Sequence, residues 1–197
     1  KRRLGLKKRP KNMPKKQTLA ALDQPLLMAF WQEAFAPFGL PVAQVLLTAE
    51  DLSSRSRYLN AKATLRALLD LGAIPVINEN DTVAFEEIRF GGNDQLSARV
   101  AALVEAGLLA LLSDVDALYE EDPKKNPQAR PIPEVESVEA VLAHAGEENP
   151  LGSGGMKSKL LAARIAGRVG IPTLLLPGKR PGVLLQALSG APLGTYF

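Results

Sequence analysis

Three short apolar runs constrain this chain more than any other feature. Residues 74–77, 108–112 and 171–176 are nearly free of polar side chains and only four to six residues long. Runs of that length are short for helices and suit strands. When no alternation interrupts them, they suit strands buried on both faces, as in a parallel sheet. A further strand is read at 42–48. Between these runs lie stretches with apolar residues three and four apart. The first spans 17–38, with Leu19, Leu22, Leu26, Leu27, Phe30, Trp31, Ala34 and Phe35 on one face. Pro25 is expected to kink or restart it, with Asp23 as a cap. The second runs from a cap at Ser53 or Ser54 to Leu71, with Tyr58, Leu59, Ala61, Leu65, Leu68 and Leu69 inward. Gly72 closes it. Helices are also read at 95–105, ended by Gly107, at 156–169, ended by Gly170, and at 181–189. A last strand is read at 194–197. Strands alternating with helices of this length imply crossover connections and an α/β fold with a mostly parallel sheet.

Oxygen-bearing side chains follow two of the apolar runs. Asn78-Glu79-Asn80-Asp81 follows the first and Ser113-Asp114-Val115-Asp116 the second. In open α/β sheets the carboxyl ends of the strands are where ligands bind. Residues 83–90 read as a hairpin, followed by Gly91-Gly92-Asn93-Asp94. Asn93 or Asp94 is a good N-cap, and a helix N-terminus attracts anions. Each cluster alone reads as a turn or a cap. Two clusters bracketing one hairpin, both at strand–helix junctions, weigh toward a site.

A third constellation is the stretch from Asn149 to Lys159, with Gly152, Ser153, Gly154, Gly155, Met156, Lys157, Ser158 and Lys159 entering a helix. It is neither a Walker A loop nor G-x-G-x-x-G. On pattern alone it is a flexible linker or a phosphate cradle. Three glycines in four residues, a helix start and adjacent lysines favour the cradle. Lysine charge can neutralise a transferring phosphoryl group, and a carboxylate such as Asp94 can orient it. Mg²⁺ suits such a site when the nucleotide holds it.

Composition removes other chemistries. The absence of Cys excludes disulfides, thiolate zinc sites and a Cys nucleophile in these residues. The one histidine, His144, falls near the end of a short helix capped by Ser137, and no G-x-S-x-G elbow accompanies it. No apolar run approaches the ~18 residues that span a bilayer, and no leader pattern is present, so the expected location is cytoplasmic. Nine of the 24 Lys and Arg residues lie within residues 1–16, which carry no acid. The rest of the chain is therefore net acidic, which argues against a nucleic-acid-binding protein. The basic run reads as a mobile surface loop.

Beside this reading stands a resemblance. PVINENDTV (75–83), FGGNDQLSA (90–98), LLSDVDALYEEDP (111–123), NPQA (126–129), GSGGMKSK (152–159) and GTYF (194–197) resemble the motifs of the glutamate 5-kinases, within the amino acid kinase superfamily. The resemblance covers nearly the whole chain from Gln17 onward. It implies a three-layer αβα sandwich around a mostly parallel open sheet, formed by one domain over 1–197. It implies ATP-dependent phosphorylation of the γ-carboxylate of L-glutamate, the first step of proline biosynthesis, with Mg²⁺ bound mainly through nucleotide phosphates. The same resemblance assigns Asn78, Asp81 and Asn93 to glutamate. It assigns Ser113, Asp114 and residues Ser153, Gly154, Gly155, Met156, Lys157, Ser158 and Lys159 to ATP. Lys159 would neutralise the transferring group, and Asp94 would organise the catalytic lysines. The family further implies a homo-oligomer, dimer or tetramer, and proline as a feedback inhibitor. Relatives begin with a strand and a V-K-L-G-[ST] loop that these residues lack, so an upstream segment is expected; many continue into a PUA domain that is likewise not in this stretch. Gly92 stands where the family pattern has Asp, Ala117 where it has Gly, and Ser113 where Thr is common.

Overall fold

The computed structural model describes residues 12–84, 92–123, 125–144 and 154–197. The expected basic arm up to residue 11, most of the expected hairpin, and the loop ahead of Gly154 with Ser153 lie outside the described residues. The chain divides into two compact units, Lys1–Phe90 and Gly91–Phe197.

The first unit opens with α1 (Met13–Phe35), which continues into a short 3-10 turn at Ala36–Phe38. The helix starts earlier than the expected loop allowed: Pro14 lies in its first turn, where a missing N–H costs nothing. Pro25 lies inside the helix without ending it. The apolar residues of α1 are spread around the helix, so the expected single buried face does not form. Met28 is buried, whereas Leu22, Leu26 and Phe30 are at least half exposed. Trp31 stacks on Phe35 with ring centroids 5.8 Å apart. Gly39, at φ 66°, closes the turn.

Strand β1 (Val42–Leu47) pairs in parallel with β2 (Ile74–Glu79), Val42 opposite Ile74 and Leu47 opposite Glu79. Between them come α2 (Ala49–Ser53) and α3 (Arg55–Asp70). Helix α2 is held by a capping box in which Thr48 and Asp51 serve each other's backbone N–H groups. On α3 only Leu65 is fully buried; Leu59 and Leu69, expected inward, lie off the contact face and are exposed. Strand β2 runs two residues past its apolar part, through Asn78 and Glu79, because ladder bonds to β1 continue there.

The second unit comprises α4 (Asn93–Val104), β3 (Leu109–Ser113), β4 (Leu118–Tyr119), β5 (Pro131–Ile132), α5 (Val138–His144), α6 (Gly154–Gly167), β6 (Thr173–Pro177), α7 (Val183–Leu188) and β7 (Thr195–Tyr196). Strands β3 and β6 are parallel, β7 is antiparallel to β6, and β4 pairs with β5 as a small antiparallel hairpin. Ser137 caps α5 as expected, accepting from the Ala140 N–H at 3.2 Å.

Helices α4 and α6 pack on each other along a seam of small residues. Ala98 and Ala101 of α4 meet Ala162 and Ala166 of α6, with Leu109, Leu111, Ile171 and Leu175 completing the cluster. Alanine side chains let two helix backbones approach closely. The seam follows helical spacing back to Asp94 on α4 and to Lys159 on α6, three or four residues before its first alanine on each helix.

Candidate active site

In the first unit the carboxyl ends of β1 and β2 carry the polar residues picked from the sequence. Asn78 is held at both ends of its amide. Its Oδ1 accepts from the Glu79 N–H at 3.0 Å, and its Nδ2 donates to Oε1 of Gln24 on α1 at 3.2 Å. Asp81 is half-buried, and with Asn78 it lines a cavity of about 920 Å³ whose walls include Gln24, Lys16, Glu79 and Thr82. Asn80 serves the turn instead: Oδ1 accepts from the Thr82 hydroxyl at 2.9 Å, and its carbonyl accepts from the Ala84 N–H at 3.0 Å. Beside this turn, the Asp51 carboxylate accepts from the Thr48 N–H and hydroxyl, both at 2.7 Å, and pairs with Arg57 at 3.1 Å. Burial pushes the Asp51 carboxyl up, but the Thr48 and Arg57 contacts outweigh it and hold the group below its usual value.

In the second unit the decisive contact joins two helices. Lys159 Nζ lies 3.1 Å from Asp94 Oδ2, with side-chain exposures of 13% and 27%. Asp94 sits in the first turn of α4, where partial positive charge favours a carboxylate. The cap is Gly92, at φ 99°, rather than Asn93 or Asp94, and neither side chain caps the helix. That frees the Asp94 carboxylate for Lys159 and leaves Asn93 exposed. The φ of Gly92 is one that glycine adopts readily and side chains do not. Glycine at a position where the family pattern has Asp therefore matches its local backbone. At the other end of α4 Glu105, at φ 55°, takes the left-handed position expected of Gly107.

Gly154 and Gly155 already belong to α6, so the glycine stretch enters the helix two residues before the expected start. Lys157 and Lys159, two residues apart, diverge: Lys157 is exposed, and Lys159 turns to Asp94. Ser158 is half-buried, and its Oγ lies 3.9 Å from where a Cβ on Gly92 would stand. Met156 packs against both apolar clusters of this unit. Ser113 ends β3 as a buried residue; its Oγ accepts from the Val115 N–H and donates to Asp114, each at 3.3 Å. Asp114 is exposed beside it. Tyr119 donates to Asp116 at 2.9 Å, and that bond, with burial, raises the phenol pKa.

Gln24 escaped sequence reading altogether. Its only local signal is a polar residue ahead of Pro25 on a helix with apolar neighbours.

Parallel strands ending in polar side chains define an α/β protein, and its second unit sets a lysine–carboxylate pair at the start of a glycine-led helix. The chain belongs to the amino acid kinase family, whose sequence pattern matches residues 1–176. It is 97% identical over 196 residues to the glutamate 5-kinase of Thermus thermophilus, covering 100% of this chain and 53% of that protein. It is 61% identical over 197 residues to that of Meiothermus ruber, covering 99% and 52%. The chain thus spans about half the length of the curated relatives it matches. Among solved structures, the isopentenyl phosphate kinase of T. acidophilum shares the fold at a TM-score of 0.64 and 21% identity, over 95% of this chain and 73% of that one. The UMP kinase of Bacillus anthracis does so at 0.63 and 16%, over 94% and 70%.

Proposed function

We propose that this chain is the kinase portion of a glutamate 5-kinase, transferring the γ-phosphoryl group of ATP to the γ-carboxylate of L-glutamate. The product is L-glutamyl 5-phosphate, and the reaction opens proline biosynthesis. The observation that carries the reading structurally is the Lys159–Asp94 pair at 3.1 Å, joined by the identity to named glutamate 5-kinases over the whole chain. A carboxylate oxygen of glutamate attacks the γ-phosphorus, a new O–P bond forms, and the bond to the β,γ-bridging oxygen breaks as ADP leaves. The acceptor is ionised at neutral pH, so no proton has to be removed. The protein's task is then positioning and charge neutralisation. Lys159 neutralises the transferring group, and Asp94 orients the ammonium.

Asn78, Asp81 and Asn93 bind the acceptor in this reading. Asp81 takes the ammonium, and the amides take carboxylate oxygens. Ser113, Asp114 and the stretch from Ser153 to Lys159 contact the nucleotide, with Met156 acting more through packing than through contact. Among the described residues no three His, Cys, Asp or Glu side chains gather. In this reading Mg²⁺ is carried on the nucleotide's phosphates, where it would neutralise their charge. Cytoplasmic location, assembly as a homodimer or tetramer, and inhibition by proline belong to the same reading. Among the described residues no helix is long and apolar enough to cross a membrane.

The test is ADP release by the full gene product with ATP, Mg²⁺ and L-glutamate, using hydroxylamine to trap the acyl phosphate. L-aspartate, N-acetylglutamate and carbamate run beside it. Turnover with L-glutamate alone is the expected result. Turnover only with another acceptor would keep the chemistry and overturn the acceptor assignment.

A further inference from the structure

Gln24 lies on α1, 54 residues from Asn78 in sequence, yet its side chain is built into the Asn78 contact. The two ends of its amide have different fates. Oε1 accepts from Asn78 Nδ2 at 3.2 Å. Nε2 is buried and has no hydrogen-bond partner among the described residues. A buried donor left unpaired is costly, so one in a native structure calls for an explanation. Asn78 Oδ1 is already taken by the Glu79 N–H. What this amide pair has left to offer is therefore mainly donors: two N–H bonds of Gln24 and the second N–H of Asn78. Gln24, Asn78 and Asp81 line the same cavity. Amide donors recognise a carboxylate, and Asp81 recognises a cation, so the cavity carries both halves of the code for an amino acid.

We infer that Gln24 is a substrate-positioning residue: Nε2 donates to a carboxylate of the acceptor amino acid, while Oε1 fixes the Asn78 amide so that its free N–H serves the same ligand. This rests on the glutamate-kinase reading and adds to it a residue from a helix that reading leaves without a role. Gln24→Glu separates the two duties. It keeps size and shape and keeps an acceptor for Asn78, but it exchanges the donors for a negatively charged oxygen that repels a carboxylate. Gln24→Met removes donors and acceptor without adding charge.

Steady-state kinetics of the full gene product, calorimetric titration with L-glutamate and a thermal midpoint test it. Gln24→Glu is expected to raise the KM for L-glutamate, and weaken its binding, by about 10–100-fold, the usual range for losing a hydrogen bond to a charged group. Gln24→Met should give a smaller rise in the same direction. The KM for ATP should stay at the wild-type value, while the thermal midpoint falls modestly, since Glu places a charge and Met removes an acceptor at a buried amide. An unchanged KM for L-glutamate in both variants overturns the assignment. So does a loss confined to midpoint and kcat, which is what a purely structural glutamine would produce. A wild-type protein that neither binds nor phosphorylates L-glutamate removes the underlying reading, and this assignment with it, before any substitution is compared.

Discussion

Lys159→Met is the sharpest test of the phosphoryl-transfer role proposed for the second unit. The substitution keeps the aliphatic stem that lies along the α4–α6 contact and removes only the charge. A unit cation about 4 Å from a developing phosphoryl charge contributes about 4 kcal/mol at an effective dielectric constant of about 20. At about 1.4 kcal/mol per factor of ten, that is about a thousandfold in turnover. The charge is needed most in the transition state, so kcat should carry the loss and the KM for L-glutamate should move little. The stability cost is smaller. The pair is mostly sheltered, with exposures of 13% and 27%, and a hydrogen bond to a charged group contributes about 1.5–3 kcal/mol. Asp94 keeps its place at a helix N-terminus, whose partial positive charge limits the damage further. The assay is single-turnover ADP formation at saturating glutamate, with circular dichroism and a thermal melt as controls. Asp94→Asn, which keeps the acceptor atom but not the charge, should fall between wild type and Lys159→Met. Near-wild-type kcat in a folded Lys159→Met protein would refute the role given to this lysine.

Asp81→Ala should raise the KM for L-glutamate by about tenfold or more while leaving the KM for ATP alone, because it removes the carboxylate assigned to the substrate ammonium; a change in the ATP term instead would misplace Asp81. Gly194→Ala should destabilise the second unit by at least about 2 kcal/mol in urea unfolding. Gly194 has φ 72°, and a Cβ there would collide with the Leu175 carbonyl; a wild-type midpoint would contradict that packing. The Asp51 carboxyl is held below the ordinary 3.8 in the folded chain. Its contribution to stability is present above the unfolded value and is lost as pH falls through the folded one. Denaturation curves at successive pH values below 5 should therefore fall more steeply for wild type than for Asp51→Asn. At neutral pH, Thr48→Ala should cost about 1 kcal/mol as a lost cap, read from the same curves.

Much of the fold was written locally. Short apolar runs marked β2, β3 and β6 because period and length are properties of consecutive residues. Ser137 marked α5 because a cap acts across three residues. The candidate residues Asn78, Asp81, Asp94 and Lys159 were legible as residue types at strand ends and helix starts. Local reading misjudged positions where neighbours compete. Gly92 took the cap expected of Asn93 or Asp94. Glu105 adopted the left-handed turn expected of Gly107, since the α4 carbonyls had to be met at that point.

By itself, then, the sequence determined the alternation of strands and helices, the oxygen-rich strand ends and a glycine-led helix beside two lysines. Only tertiary structure decided which lysine turns to a carboxylate and which asparagine is held. Asp94 and Lys159 are 65 residues apart, and their meeting depends on alanines that let α4 approach α6. Gln24 and Asn78 are 54 apart and meet because the first unit packs α1 on β1, the strand paired with β2. Contacts of that separation carry no periodic or capping signature, since their partners share no turn, ladder or helix face until the chain has folded.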